Sequence, residues 1–433
     1  MTPFRMGSAL AAAAALSGCV EATMAWADLS PRGPAAAPAL VYPSAAAWEA
    51  EGAPAAREAL QKNVYGYFPE ISHSAILERR VVNADAFNGK GIVEEYRVAA
   101  SPAFGDSAAR VTDAEGRDGF IMNVVIPKST SGPAPVILME TFCPRWATIP
   151  DPGVTGAPAQ GADRGGLMES LATFVFGRYI CTPPNEAILD AGYAIASIFP
   201  SEIVPDRRAD GLAALKRLSQ GHGDDDTRWG AIAAWAWSYS RMIDVLEQDD
   251  RLDADAMIVW GHSRYAKAAL VAAAFDPRID AVVAHQSGTG GASLNFKKPG
   301  ESVKGITGSY PHWFARAYAR HTDDASPGFD QHQLLALIAP RPVFLGNARR
   351  DVWSDPNGAF RAALGANPVY GLYDAKGLDQ ARLKPYDPAA EIAFWIRPGT
   401  HGVAKEDWPA FLAFLDAHFG AAEGSDGGRI VSP

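Results

Sequence analysis

Apolar and polar positions alternate along most of this chain in a way that separates strands from helices. Seven short runs rich in Val, Ile or Phe are bounded by Gly, Pro or Asp: Gly119–Ile126, Pro135–Thr141, Tyr193–Phe199, Ala256–Gly261, Ala281–Gln286, Pro342–Asn347 and Ile392–Ile396. Runs of this length and composition predict buried strands. Between them lie segments with helical spacing. Over Trp229–Glu247 the apolar positions Trp229, Ile232, Ala233, Ala236, Tyr239, Ile243 and Leu246 fall on one periodic pattern, with Asp226 and Thr227 available as a cap. Asp330–Ala339, stopped by Pro340, predicts a shorter helix, and Trp408–His418 a last one. The alternation predicts an α/β fold, a mostly parallel sheet flanked by helices.

Organisation follows from what stands outside this pattern. Residues 28–90 begin rich in Ala and Pro, then carry one amphipathic stretch at Trp48–Val64, and read as an N-terminal extension packed on a main domain at 91–420. Residues 421–433 read as a disordered tail. No repeat divides the chain. The long Gly- and Pro-rich segment Cys143–Pro184 follows a strand end, where walls and lids of binding sites are built.

Composition narrows the partners. Of 433 residues, 48% are hydrophobic and 20% charged, which supports a globular core. The formal net charge of −10 argues against nucleic acid or an anionic membrane as partner, so any cation that holds a substrate acts locally. Residues 1–27 read as an export signal: Arg5 precedes the short apolar stretch Met6–Leu16. That stretch ends in Leu16-Ser17-Gly18-Cys19, similar to a lipobox, and Ala25-Trp26-Ala27 offers an ordinary cleavage site instead. Either route predicts an exported protein: periplasmic, secreted, or held at the outer membrane by a lipid anchor. Cys143 and Cys181 then have two outcomes open, a disulfide or two buried thiols.

The stretch Met257–Leu270, MIVWGHSRYAKAAL, carries the chemistry. A strand runs into Gly261-His262-Ser263-Arg264 and a helix-forming segment follows at once. A serine on such a turn is the nucleophile elbow of an α/β-hydrolase, although Tyr265 stands where G-x-S-x-G has its last glycine. Arg264 and Lys267 place two cations beside the hydroxyl, which suits an anionic or strongly polarised substrate. In this fold the acid and the base follow the nucleophile in chain order. His401, between Gly399 and Gly402 after the last strand, is the candidate base, free to swing over the serine. Asp351 directly follows the run Pro342–Asn347 and is the candidate acid, with Asp355 as fallback. The other customary position for the acid holds Gln286, and an amide does not stabilise an imidazolium as a carboxylate does.

The remaining histidines read as ordinary: His262 flanks the serine and is expected to point away, His285 lies in a strand, His332 at a helix start, and His418 deep in the last helix. His312 likewise suggests no site. No pair has metal-ligand spacing with supporting carboxylates, and Gly288–Gly291 lacks the continuation of a phosphate loop, so neither metal nor cofactor is expected.

The series GHSRYAK, HQSGTGGASL, PHWF, DQHQLLALIAPRP, RRDVWSDP and IRPGTHGVAKEDW resembles the bacterial branch of the glucuronoyl esterases, carbohydrate esterase family 15, over roughly residues 100–420. The family's elbow, G-C/H-S-R-x-G-K, accounts for the missing glycine. The resemblance implies Ser263 as nucleophile, His401 as base and Arg264 as oxyanion donor. It implies contacts with a uronic acid ring from Lys267 and Trp353, and places Glu301 near a polar sugar-contacting position. Members carry the acid at either of the two places, and Gln286 here leaves Asp351. Two departures stand out: Ala266 replaces the motif glycine, and Glu140-Thr141-Phe142-Cys143-Pro144-Arg145 replaces an Asn-Phe-x-Gly pattern on the oxyanion and leaving-group side. The expected activity is hydrolysis of (4-O-methyl-)glucuronic acid esters, as in glucuronoxylan–lignin linkages. Rival expectations are another carboxylic ester hydrolase, such as an acetyl-xylan esterase, and a catalytically silent sugar-binding homologue.

Overall fold

A computed structural model describes residues 35–36, 38–113, 115–158, 175–321 and 328–420. The export signal expected at 1–27, with Cys19, and the tail expected at 421–433 lie outside the described residues. Ten strands form one sheet: β1 (Ile71–Asp85), β2 (Gly91–Phe104), β3 (Ser107–Ala108), β4 (Phe120–Pro127), β5 (Ala134–Glu140), β6 (Ala194–Ile198), β7 (Leu252–His262), β8 (Ala281–His285), β9 (Val343–Ala348) and β10 (Ile392–Arg397). Their spatial order is β1-β2-β4-β6-β5-β7-β8-β9-β10, with β3 on β2. The strands up to the β4–β6 pair are antiparallel, and β6 through β10 are parallel. Helices cover both faces of the parallel part, so its strands are apolar throughout rather than alternating. This is the α/β-hydrolase fold that the elbow predicts.

All seven predicted strands form, within a few residues of their expected ends. The strands at 71–85 and 91–104 are the difference. Residues 71–85 do not belong to an appended extension: β1 is an edge strand of the central sheet, paired with β2 from Ile71↔Ala103 to Asn83↔Val93. Its sequence, ISHSAILERRVVNAD, is half exposed, interrupted by bulges near Leu77 and Val82, and held by charge rather than by apolar burial. Arg79 bridges Glu94 and Asp249, and Arg80 pairs with Glu95. The amphipathic stretch before it is helical, with α1 (Ala53–Leu60) at its centre. It ends in Leu60, Val64 and Tyr65, all fully buried. Tyr65 Oη donates to the Gly290 carbonyl at 3.1 Å and accepts from Gln331 Nε2 at 2.7 Å, which ties this segment under the loops that follow β8.

Two helices carry the elbow. Helix α2 (Ala231–Leu246) is buried nearly all round, and α3 (Arg264–Phe275) is rich in alanine, so the two approach each other and the sheet closely. The cap expected at Asp226–Thr227 is not used. Gly230 precedes the first helical residue and donates to the Tyr65 carbonyl at 2.9 Å, while Asp226 pairs with Arg320. Helix α4 (His332–Ala336) is shorter than expected, and α5 (Pro356–Tyr370) and α6 (Asp407–Phe419) complete the cover of β9 and β10. No helix among the described residues is long and apolar enough to cross a membrane.

Cys143 and Cys181 form a disulfide, with Cα atoms 5.3 Å apart, closing the long segment after β5 over a separation of 38 residues. Closing a loop of that length restricts the unfolded chain by about 3–4 kcal/mol in the chain-entropy picture. Cys143→Ser paired with Cys181→Ser is therefore expected to lower unfolding stability by about 3 kcal/mol in a denaturant titration. An unchanged midpoint would show that the segment is held by its packing alone.

Candidate active site

Strand β7 ends at His262 and α3 begins at Arg264, leaving Ser263 alone on the turn with φ 56° and ψ −120°. A side chain at Gly261 would collide with the Tyr265 carbonyl, so this glycine is what lets the chain fold back so sharply. Ala266 sits fully buried in the first turn, so the absent motif glycine is accommodated. The Ser263 N–H donates to the His285 carbonyl at 2.8 Å, and its carbonyl accepts from Ala266 and Lys267. The first backbone N–H groups of a helix have no intrahelical acceptor, and with the helix dipole they suit negative charge.

Asp351 and His401 are in contact: Nδ1 of His401 lies 2.7 Å from Oδ2 of Asp351, whose side chain is buried. Burial alone raises this carboxyl, yet His401 and the bonds from Ser354 outweigh it and hold the group below the usual carboxylate range. Asp355 has a different task. Its Oδ1 accepts from the Gly358 N–H at 3.0 Å and caps α5. The Ser263–His401 bond is not closed by a hydrogen bond in this structure; such contacts commonly tighten only when substrate binds.

The His401 loop is braced rather than free to swing. Gln286, buried at the end of β8, donates from Nε2 to the Thr400 carbonyl at 3.2 Å. Its Oε1 accepts from the Gly402 N–H at 2.8 Å. Arg397, held by Asp407 through Nε at 2.8 Å, donates from Nη2 to the Gly402 carbonyl at 2.7 Å and from Nη1 to those of Pro398 and Thr400. His262 does not stand aside either. Its ring centroid lies 4.7 Å from that of His401, and its Nδ1 lies 3.0 Å from Nδ1 of His285. Burial, with His401, His285 and Arg397 nearby, pushes the His262 pKa well down, so a neutral ring lies beside His401. Gln286 and His262 were both visible as residues; the two-sided backbone bracket and the ring contact come only from the folded strand ends.

On the other side of Ser263, Lys267 is buried and donates from Nζ to the carbonyls of Ser287 and Thr289, the latter at 2.7 Å. Burial lowers its pKa to about 8, against the opposing pull of Glu301. Glu301 is linked twice to Trp353: its N–H donates to the Trp353 carbonyl at 2.9 Å, and Oε1 accepts from the indole Nε1 at 3.1 Å. Trp353 is 55% exposed, an open aromatic face on this rim. The structure thus gathers Lys267, Glu301 and Trp353 into one region beside the elbow. Arg264 sends its guanidinium between Phe142 and Trp313, with Cζ 5.2 Å and 4.8 Å from their ring centroids. Among the described residues no group of acidic, histidine and cysteine side chains is arranged to hold a metal.

The chain is similar to several known proteins. A family model described as glucuronyl esterase of fungi matches residues 222–373. The chain is 38% identical over 245 residues to carbohydrate esterase MZ0003 of an unknown prokaryotic organism, covering 55% of this chain and 56% of that one. It is 34% identical over 165 residues to a 4-O-methyl-glucuronoyl methylesterase of Hypocrea jecorina, 35% of each chain. The chain therefore spans about half the length or less of these curated relatives. Solved structures match over nearly their full length. A promiscuous CE15 esterase from a marine bacterial metagenome superposes with a TM-score of 0.73 at 27% identity, over 90% of this chain and 98% of that one. A glucuronoyl esterase from Solibacter usitatus gives 0.71 at 28% identity, over 89% and 100%. Over most of its length the chain is thus similar to bacterial glucuronoyl esterases and other CE15 esterases, and shares their fold.

Proposed function

We propose that this protein is an exported serine esterase that hydrolyses esters of (4-O-methyl-)glucuronic acid. The observation that carries the reading is the contact between Asp351 and His401 over the Ser263 elbow. In this reading Ser263 Oγ attacks the carbonyl carbon of the uronate ester while His401 takes its proton. The bond to the alkoxy group then breaks as His401 returns the proton to the leaving alcohol, and water repeats the sequence on the acyl-enzyme. Asp351 fixes the imidazole and stabilises its charged form. The N–H groups at the head of α3, with Arg264, stabilise the oxyanion, at about 3–4 kcal/mol for each well-placed donor. Lys267, Glu301 and Trp353 are assigned to the sugar ring.

A second reading, broader carboxylic ester hydrolysis including acetyl esters, is favoured by the similarity to an esterase described as promiscuous. A panel of methyl and benzyl glucuronate, acetylated xylan and p-nitrophenyl acetate separates the two. Turnover confined to acetyl esters would reject the uronate assignment. Export is proposed from residues 1–27 alone, and the mass of the mature protein decides between lipidation at Cys19 and cleavage after Ala27.

Ser263→Ala is expected to abolish turnover of every ester in the panel with the fold intact, and residual activity would remove the nucleophile. Asp351→Asn should lower kcat about a thousandfold, by analogy with the roughly 10⁴ loss when a triad acid becomes an amide. Asp355→Asn should instead cost about 1 kcal/mol of stability or less, as a weakened cap, with kcat kept.

Gln286→Glu tests the brace. A carboxylate accepts from Gly402 but repels the Thr400 carbonyl, so kcat should fall roughly tenfold, the cost of a lost and reversed buried bond. Combined with Asp351→Asn it should restore nothing; a rescued double variant would move the triad acid to position 286.

Lys267 generates a pH prediction. Its lowered pKa keeps it charged below about 8 and neutral above. If its charge holds the uronate, KM for methyl glucuronate rises as pH climbs through 8, while KM for p-nitrophenyl acetate stays level. Equal pH dependence on both substrates would take Lys267 away from the ring. Lys267→Ala should lower kcat/KM on glucuronate esters by roughly ten- to a hundredfold, the value of a charge-assisted bond.

A further inference from the structure

Asp206 stands in the connection after β6, in a stretch that no motif marks, and reaches the residue next to the nucleophile. Its Oδ2 forms an ion pair with Nη1 of Arg264. Its Oδ1 accepts from the Trp313 indole Nε1 at 2.7 Å and from His312 Nε2 at 3.0 Å. Burial, with Arg264 close by, lowers the His312 pKa to about 4, so at neutral pH both of these donors are uncharged. One carboxylate therefore faces one guanidinium, with two neutral donors fixing the carboxylate. Trp313 serves twice, since its ring also lies against the Arg264 guanidinium, 4.8 Å from centroid to Cζ. The Phe142 ring is a second aromatic neighbour, at 5.2 Å. Inside this box the Arg264 Nε is buried with no partner among the described residues.

Arginine is long and loses much rotamer freedom when held in one pose. A donor that is to meet an oxyanion acts best when it is already in place, since reorganisation at the moment of reaction adds to the barrier. We propose that Asp206 is a positioning residue for the reaction. Its carboxylate, held by Trp313 and His312, fixes the guanidinium of Arg264, the residue next to Ser263, by Nη1. The proposal rests on the serine esterase reading given above. It adds a residue that touches no reacting atom and acts through Arg264.

The test is a double-mutant cycle on p-nitrophenyl acetate and methyl glucuronate. Asp206→Asn should lower kcat roughly ten- to a hundredfold, the effect expected from a misplaced catalytic group, with KM changed less than about threefold. In an Arg264→Ala background the same change should cost less than about twofold, because nothing is left to position. Asp206→Glu repeats the cycle with the charge kept and the guanidinium displaced by one methylene; it decides the matter if Asp206→Asn fails to fold. Equal losses in both backgrounds, or no loss beside native Arg264, would overturn the proposal and leave Asp206 as a support for Trp313 and His312 only. Failure of the uronate reading looks different: the native protein then turns over p-nitrophenyl acetate alone, and the cycle is read on that substrate. A native protein inactive on every ester overturns both.

Discussion

The site depends on a turn that an L-residue resists. Ser263 holds φ 56°, and Gln286 and Asp355 hold 54° and 51°, all non-glycine residues with left-handed φ. Each such residue is disfavoured by about 1–3 kcal/mol when the surroundings force it. The three follow β7, β8 and β9, neighbouring parallel strands whose carboxyl ends share one edge of the sheet. Phe87, Asn88, Lys297 and Asp374 carry the same kind of φ elsewhere, but these three bring it to the edge of the sheet where the site lies. Burial of the strands beneath, apolar from end to end, offsets the strain. A softer turn at any one of them would lay its side chain along the sheet, away from its partners.

Charge is handled by the same economy of position. The chain carries a net charge of −10, yet cations surround Ser263, and each has internal acceptors of its own. Arg264 has Asp206, Arg397 has Asp407, and Lys267 has two backbone carbonyls. Fixed pairs of this kind add little net stability and lose much when one partner is removed. Their use here is orientation: Arg397 spends its other donors on the carbonyls of the base's loop, and Lys267 ties the loop after β8 to the helix that carries the nucleophile. His262, kept neutral by burial, adds a ring beside His401 without adding a competing charge.

The parallel strands were legible because burial on both faces forces continuous apolar runs, and the elbow because a strand, a serine and a helix follow within a few residues. Chain order singled out Asp351 and His401, which the folded chain brings into contact. What stayed hidden depends on pairing across distance. Strand β1 reads as a polar segment until Glu94, Glu95 and Asp249 are placed against its arginines. Asp206 carries no local signal, since its partners lie 58 and about a hundred residues away. The two cysteines allowed a bridge and a pair of thiols equally; only their 5.3 Å Cα separation selects the bridge. His262 was set aside from elbow geometry alone, which says nothing of a ring arriving from beyond β10.

Gln286 shows why the proposed acid and the brace follow different strands. The backbone on either side of His401 presents a carbonyl at Thr400 and an N–H at Gly402, and Gln286 meets both at once. An amide is the side chain that donates and accepts through one planar group, whereas an ionised carboxylate only accepts. A carboxylate at the end of β8 would leave the Thr400 carbonyl facing negative charge. With the acid moved to Asp351, after β9, the imidazole is held through Nδ1 from one strand and its backbone is held from another. His401 is then held from two strand ends in fixed register, β8↔β9 and β9↔β10, and not only by the loop that carries it.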